Sequence, residues 1–322
     1  MNYNPGEKIC CIICGSTDYQ ILLTHHSDPL VQKLGPNQHQ IRMLICKNCG
    51  LVFQNPQPDS KTLADIYSYA FRAKSPSEKY FRIIYPDAKE KIQWLKNYLP
   101  STKRCKVLDI GSAAGILLNM FKKNQWDTFG IEPSLSFAEY SRSKYELKVK
   151  TGLFQEAIFP GINFDLVVIS HVLEHISDPI NFLKAVAKKI KEDGYLFVEV
   201  PDIRRPKIKV LYSSFFAATH LFLFSPNTLA MVLAKAGFRI IAQSNAKRGF
   251  RVLAKKIKPQ EKLHLIYEKD DYKKITRNIS LCRAQYLATV ASKKMVSRFG
   301  RGLVFKILGI RRAQHFITAL KK

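Results

Sequence analysis

Two cysteine pairs and one histidine cluster are the side chains of this sequence best suited to chemistry. Cys11 and Cys14 bracket CIIC, Cys46 and Cys49 bracket CKNC, and 31 residues lie between the pairs. Each C-x-x-C presents two thiolates from one tight turn, and two such turns fill the tetrahedral shell of a structural Zn2+ ion, leaving no position for water. Disulfides are the competing reading. The start, MNYNPGEKICC, lacks the basic-then-apolar pattern of an export signal, which predicts a reducing, cytoplasmic setting and favours zinc. The spacing between the pairs is wide for a ribbon, so the stretch carrying His25, His26 and His39 reads as an insertion or small lobe. Cys10, Cys105 and Cys282 stand alone.

The histidine cluster is HVLEH, residues 171 to 175. On a helix, His171 and His175 would share a face beside Glu174, which is the zinc-site pattern of one class of metallopeptidase. The cluster instead follows the apolar run FDLVVIS directly, so it stands where a buried strand ends, and no third ligand is apparent downstream. A turn that faces a ligand is the better reading, with Glu174 and His175 packing and hydrogen-bonding locally.

These residues need a frame. From Cys105 onward, KVLDI, TFGIE, LKVK, FDLVVIS and GYLFVEV read as strands, and the stretches near 114–124, 134–144 and 178–191 as helices. Such alternation means crossover connections and a parallel sheet with helices on both faces, an α/β doubly wound, Rossmann-like fold. FRIIAQS and GFRVLAKK follow with only a short loop between them and predict a closing antiparallel pair. Residues 1–59 form the expected zinc ribbon, ended by the prolines of QNPQPD. Residues 60–102 form a helical connector or lid rich in rings (Tyr67, Tyr69, Phe71, Tyr80, Phe81, Tyr85), most of them expected in packing. The sheet domain spans 103–257 with an insertion at about 201–225, and 258–322 is a basic helical extension.

In such a sheet, ligands bind at the carboxyl ends of the strands. The first strand ends in VLDIGSAAG, whose small residues let a ligand approach the backbone at a helix N-terminus. The second ends in GIEPS, placing Glu132 where a carboxylate can take both hydroxyls of a ribose, although an acid capping the next helix is the plainer alternative. NAD stays open on these features alone, but the G-x-G-x-x-G spacing is missing.

VLDIGSAAG, GIEPS, FDLVVISHVLEHISDP, GYLFVEVPD and LAKAGF, in this order over about residues 100–255, resemble the class I S-adenosylmethionine-dependent methyltransferases. CIICGS with CKNCGLVFQNPQP resembles the zinc-binding front module of bacterial sugar and cell-envelope methyltransferases, including the sugar C-methyltransferases. The resemblance implies S-adenosylmethionine as cofactor. Asp109, Gly111, Ser112 and Gly115 would line its methionine part, Glu132 would hold the ribose, and Phe154 or Gln155 would meet the adenine. Ser170 and His171 would border cofactor and acceptor. Ala113 stands where glycine is commoner. His220, in THLFLFSP, is similar to the histidine of the sugar C-methyltransferases and would serve as base. Ala218 and Thr219 replace that family's second histidine and glutamate, which favours O- over C-methylation.

The implied function is methylation of a sugar or sugar-containing cell-envelope precursor, with a nucleotide-sugar, a lipid-linked glycan or another small molecule as acceptor. The formal charge of +27 is concentrated at the end, with 13 Lys or Arg and no Asp or Glu from Tyr272 to Lys322. Such a tail suits an acidic membrane surface, placing the protein peripherally on the inner face of the plasma membrane, or nucleic acid, or simply solvent. Gly300, Gly302 and Gly309 are expected to interrupt any single helix there. The alternatives are an RNA methyltransferase using ribbon and tail to hold RNA, and a non-catalytic zinc-ribbon binding protein.

Overall fold

The computed structural model describes residues 10–26, 40–58, 63, 76–99, 105–155, 158–206, 211, 215–257 and 271–308. His39, Tyr67, Tyr69, Phe71, Gly309 and the end of the basic tail lie outside them. Among the described residues, no helix is long and apolar enough to cross a membrane.

Two sheets organise the molecule. The larger follows the expected alternation: β4 (Lys106–Ile110), α2 (Ile116–Lys123), β5 (Asp127–Glu132), α3 (Leu135–Tyr145), β6 (Lys148–Thr151), β7 (Phe164–Ser170), α4 (Pro179–Ala187) and β8 (Ile190–Val200). After α5 (Pro226–Lys235) come β10 (Phe238–Ala246) and β11 (Gly249–Lys256), which pair antiparallel as the sequence predicts. The strand order is β10-β11-β8-β7-β4-β5-β6, so strand order reverses between β4 and β7. Val107, Leu108, Leu166, Val167, Val168 and Ile169 are buried, as strands covered on two faces require. One helix limit differs: α4 stops at Ala187, and β8 starts four residues before the apolar run, because the charged stretch KED still extends alongside the sheet.

The smaller sheet explains the wide cysteine spacing. β1 (Tyr19–His26) and β2 (Gln40–Cys46) form an antiparallel pair, so the stretch from the first C-x-x-C to the second supplies two paired strands. β3 (Val52–Gln54) extends this sheet, and its last strand, β9 (Phe222–Leu223), comes from the insertion in the large domain. Val52 registers with Leu223 and Phe53 with Phe222. The amide of Gln54 adds a hydrogen bond to the carbonyl of Leu221 (2.8 Å), and His25 Nε2 lies 2.8 Å from the carbonyl of Phe216.

Helix α1 (Glu78–Leu95) starts at Ser77, whose hydroxyl accepts from the Tyr80 amide, and buries Asp87, Ala88, Lys91 and Leu95 along one face. Tyr80 meets Phe137, and Phe81 meets Tyr140, so the connector's rings pack on α3 while Tyr85 stays exposed. Helix α6 (Asp271–Leu308) passes through Gly300 and Gly302 without a break, contrary to the sequence expectation. A glycine inside a helix costs only about 1 kcal/mol, too little to end one that is otherwise favoured.

Candidate functional site

The ends of β4 and β5 build a cradle. Asp109 is buried near the end of β4, and the chain then turns sharply: the amides of Gly111 and Ser112 both donate to the carbonyl of Ile131 (2.8 and 3.0 Å). Gly111 has φ +79°, and a Cβ there would come within 2.5 Å of Val172 Cγ2, so only glycine fits. Gly115, at φ +74°, caps α2 and would collide with Leu147 and Ser141 if it carried a side chain. Ala113 adopts φ 48° despite its methyl group. Its amide donates to Glu132 Oε2 (2.8 Å), and the Ser134 amide donates to Oε1 (2.8 Å). Two main-chain donors thus fix the carboxylate at the end of β5.

Burial shapes the charges here. It pushes the Asp109 carboxyl up to about 7, with Lys91 opposing and Glu132 adding to the rise. Burial also raises Glu132, against the pull of the Ser134 and Ala113 amides. Tyr80 reaches over this cradle from α1; its hydroxyl is pushed up to about 12, chiefly by burial, and it feels the charges of Glu132, Asp109 and Arg248. Nothing in the aromatic run of residues 67–85 distinguishes Tyr80 as the ring that meets the cradle. Phe154 packs edge-on against Phe182 at 5.5 Å, and Gln155 is exposed, so of the two adenine candidates Phe154 has its ring fixed by packing.

β7 leads from Ser170, in register with Glu199, into the histidine cluster. His171 has φ 55° and donates its amide to the Glu199 carbonyl (2.8 Å). Its ring bridges two buried carboxylates, with Nδ1 3.4 Å from Glu174 and Nε2 3.2 Å from Glu199. Burial opposes charge on this ring, but the two carboxylates outweigh it and hold the imidazole above its ordinary value. Against the same burial, His171 draws Glu174 and Glu199 down to about 2. Glu199 also faces Lys91 (3.2 Å) and Arg251 (3.0 Å), and Lys91 pairs with Asp87 (2.6 Å). This buried network joins α1, β8 and β11 beneath the site, and the sequence gives no sign of it.

Beyond His171 opens a cavity of about 440 Å³, lined among others by Glu174, His175, Arg205, Phe215, His220 and Arg248. His175 and His220 meet edge to face with ring centroids 4.8 Å apart. His220 is half-buried, and desolvation with the nearby His175 lowers its pKa to about 4, which favours the neutral ring. The fold therefore brings His171 and His220 to one cavity. It also gives Glu174 and His175 the downstream neighbour that the sequence pattern lacks. Glu174 holds this arrangement with its main chain: its carbonyl accepts from the Leu221 amide at 2.8 Å.

The four cysteines converge as their pairing predicts. Cys11 Sγ lies 3.5 Å from Cys49 Sγ, Cys14 Sγ lies 3.5 Å from Cys46 Sγ, and all four sulfurs fall within 4.8 Å of one another. The edges of a tetrahedron with zinc–sulfur bonds of about 2.3 Å are ~3.8 Å long, whereas a disulfide needs about 2.05 Å. The donor set fits zinc, and none of the four is disulfide-bonded.

A family model described as a methyltransferase domain matches residues 61–243. Among curated proteins, the ubiquinone biosynthesis O-methyltransferase of Leptothrix cholodnii is 26% identical over 157 residues, covering 46% of this chain and 66% of that protein. Its counterpart in Rhodopseudomonas palustris is 32% identical over 97 residues, covering 29% of this chain and 38% of the relative. The matches thus span less than two thirds of the relatives' length. Among solved structures, the Burkholderia thailandensis 1,6-didemethyltoxoflavin-N1-methyltransferase, with S-adenosylhomocysteine bound, is 15% identical. That match covers 65% of this chain and 96% of the other, with a TM-score of 0.48.

Proposed function

Because the chain belongs to the methyltransferase-domain family, we propose that it transfers the methyl group of S-adenosylmethionine to a hydroxyl of a small-molecule acceptor held in the cavity beside His171 and His220. The observation that carries this reading is the Glu132 cradle. A carboxylate pinned by two amides still has lone pairs for the two ribose hydroxyls, and Asp109, Gly111, Ser112 and Gly115, in the turn beside it, would line the methionine part. Phe154 would flank the adenine with Gln155 beside it, and Ser170 with His171 would separate cofactor from acceptor.

A sulfonium methyl is already electrophilic, so the protein's task is to align the acceptor oxygen with it and keep water out. His220 is the proposed proton acceptor. Its Nδ1–H is committed to the Phe215 carbonyl (2.8 Å), which leaves the other ring nitrogen for the cavity. Zn2+ held by Cys11, Cys14, Cys46 and Cys49 would be structural, fixing the small sheet that carries β9. Oxygen as the methylated atom is supported by the names of the curated relatives; those names speak for a small molecule and against RNA. A sugar or cell-envelope acceptor rests on the sequence resemblance of the ribbon and the His220 segment.

Calorimetric titration with S-adenosylmethionine tests the core of the proposal. Micromolar binding that weakens in Glu132→Ala by about 10- to 100-fold is the expected result, since hydrogen bonds to a charged group contribute about 1.5–3 kcal/mol. Absence of binding by the folded wild-type protein would overturn it.

A further inference from the structure

The acceptor cavity contains a second convergence of metal-ligand atoms, separate from the four cysteines. A carboxylate oxygen of Glu174, one ring nitrogen of His175 and one of His220 lie within 4.8 Å of one another. Each histidine places Nδ1 2.8 Å from a main-chain carbonyl, His175 at Thr219 and His220 at Phe215. A carbonyl oxygen only accepts, so in the neutral ring each Nδ1 carries the proton and each Nε2 presents a lone pair. This is the outer-shell arrangement that fixes the tautomer and aim of metal-bound histidines. Glu174 is 1% exposed, and neither of its carboxylate oxygens accepts a well-aligned hydrogen bond: His171 Nδ1 stands 3.4 Å from Oε1 on one side and His175 Nε2 4.0 Å on the other. Glu174 brings the charge and the two imidazoles bring neutral lone pairs, a set that can close on a cation from the side opposite His171.

We propose that Glu174, His175 and His220 bind a divalent transition-metal ion, leaving a coordination position open to the acceptor oxygen. Two imidazoles and one carboxylate suit Zn2+, Mn2+, Fe2+ or Co2+, whereas Mg2+ and Ca2+ prefer all-oxygen shells. The ligands come from two segments, the turn after β7 and the loop before β9, which the Leu221 amide bond to the Glu174 carbonyl holds together. The inference rests on reading the cavity as the acceptor site and replaces the proton-acceptor role of His220. With Nδ1–H held by Phe215 and Nε2 on the ion, the ring has no lone pair left, and the ion would lower the pKa of the acceptor hydroxyl so that it loses its proton to solvent.

The full chain, stripped of metal, is titrated with Co2+ as the probe and followed by visible absorption. Expected is one ion that brings thiolate charge-transfer bands and a second that brings only weaker ligand-field bands. His220→Ala is expected to weaken the second ion at least about 10-fold, the least that disturbing a metal's surroundings costs, with the thiolate bands unchanged. A wild-type protein that binds no ion outside the thiolate bands, or a second ion that His220→Ala binds equally well, overturns the proposal. Co2+ binding needs neither cofactor nor acceptor, so this result is independent of whether methyl transfer occurs.

Discussion

His171 and Glu199 grip each other at two points: the His171 amide donates to the Glu199 carbonyl at 2.8 Å, and the ring Nε2 lies 3.2 Å from the Glu199 carboxylate. Glu199 is fully buried and simultaneously faces Lys91 and Arg251. Glu199→Gln should therefore leave buried cations uncompensated and cost about 3–5 kcal/mol, measured by urea denaturation. A loss below 1 kcal/mol would show that the network does not behave as a buried unit.

Asp109 would give the proposed cofactor site a pH dependence. Burial places its carboxyl near 7, so in the free protein it is largely protonated below that pH. The cationic amine of the cofactor favours the carboxylate, so binding below pH 7 must expel a proton. Affinity should fall up to about tenfold per pH unit below 7 and level off above it. Calorimetry in buffers of different ionisation enthalpy should detect proton release at pH 6 and little at pH 8, and Asp109→Asn should abolish the difference.

Removing the Zn2+ proposed for the four-cysteine site should act at a distance. Binding of structural zinc typically contributes on the order of 10 kcal/mol, enough to decide whether a small module folds. Chelation, or Cys49→Ser, should release β3 from β9 and with it the loop that carries His220. Hydrogen exchange should speed up at residues 52–54 and 215–223, while S-adenosylmethionine affinity stays near the wild-type value. Unchanged protection at 215–223 would refute the coupling.

Ala113 holds a left-handed backbone that penalises a side chain. Ala113→Gly should raise the unfolding free energy by roughly 0.5–1 kcal/mol after allowing for the looser unfolded chain. Gly111→Ala, whose methyl would meet Val172 at 2.5 Å, should lower it.

Periodicity and strand-end chemistry made much of this legible. The runs KVLDI, FDLVVIS and GFRVLAKK occupy β4, β7 and β11 with unchanged limits, because uninterrupted apolar or alternating patterns are what a buried sheet demands. Glu132 was readable from its place at the end of β5. Three-dimensional convergence was not: His175 and His220 belong to different loops, and Glu199, Lys91 and Arg251 look like ordinary alternating polar residues until the sheet and α1 bring them together. β3 and β9 are too short, at three and two residues, to carry any pattern.

The pairing of β3 with β9 also sets an order of events during synthesis. Phe53 leaves the ribosome 169 residues ahead of Phe222, its partner. At about 5–20 residues per second, the open edge of β3 waits roughly ten to thirty seconds for its neighbour. An unpaired strand edge is a template for association with other chains. The early-made module thus spends its first moments as an adhesive surface, and variants that slow translation between residues 55 and 220 should aggregate more than variants that slow it afterwards.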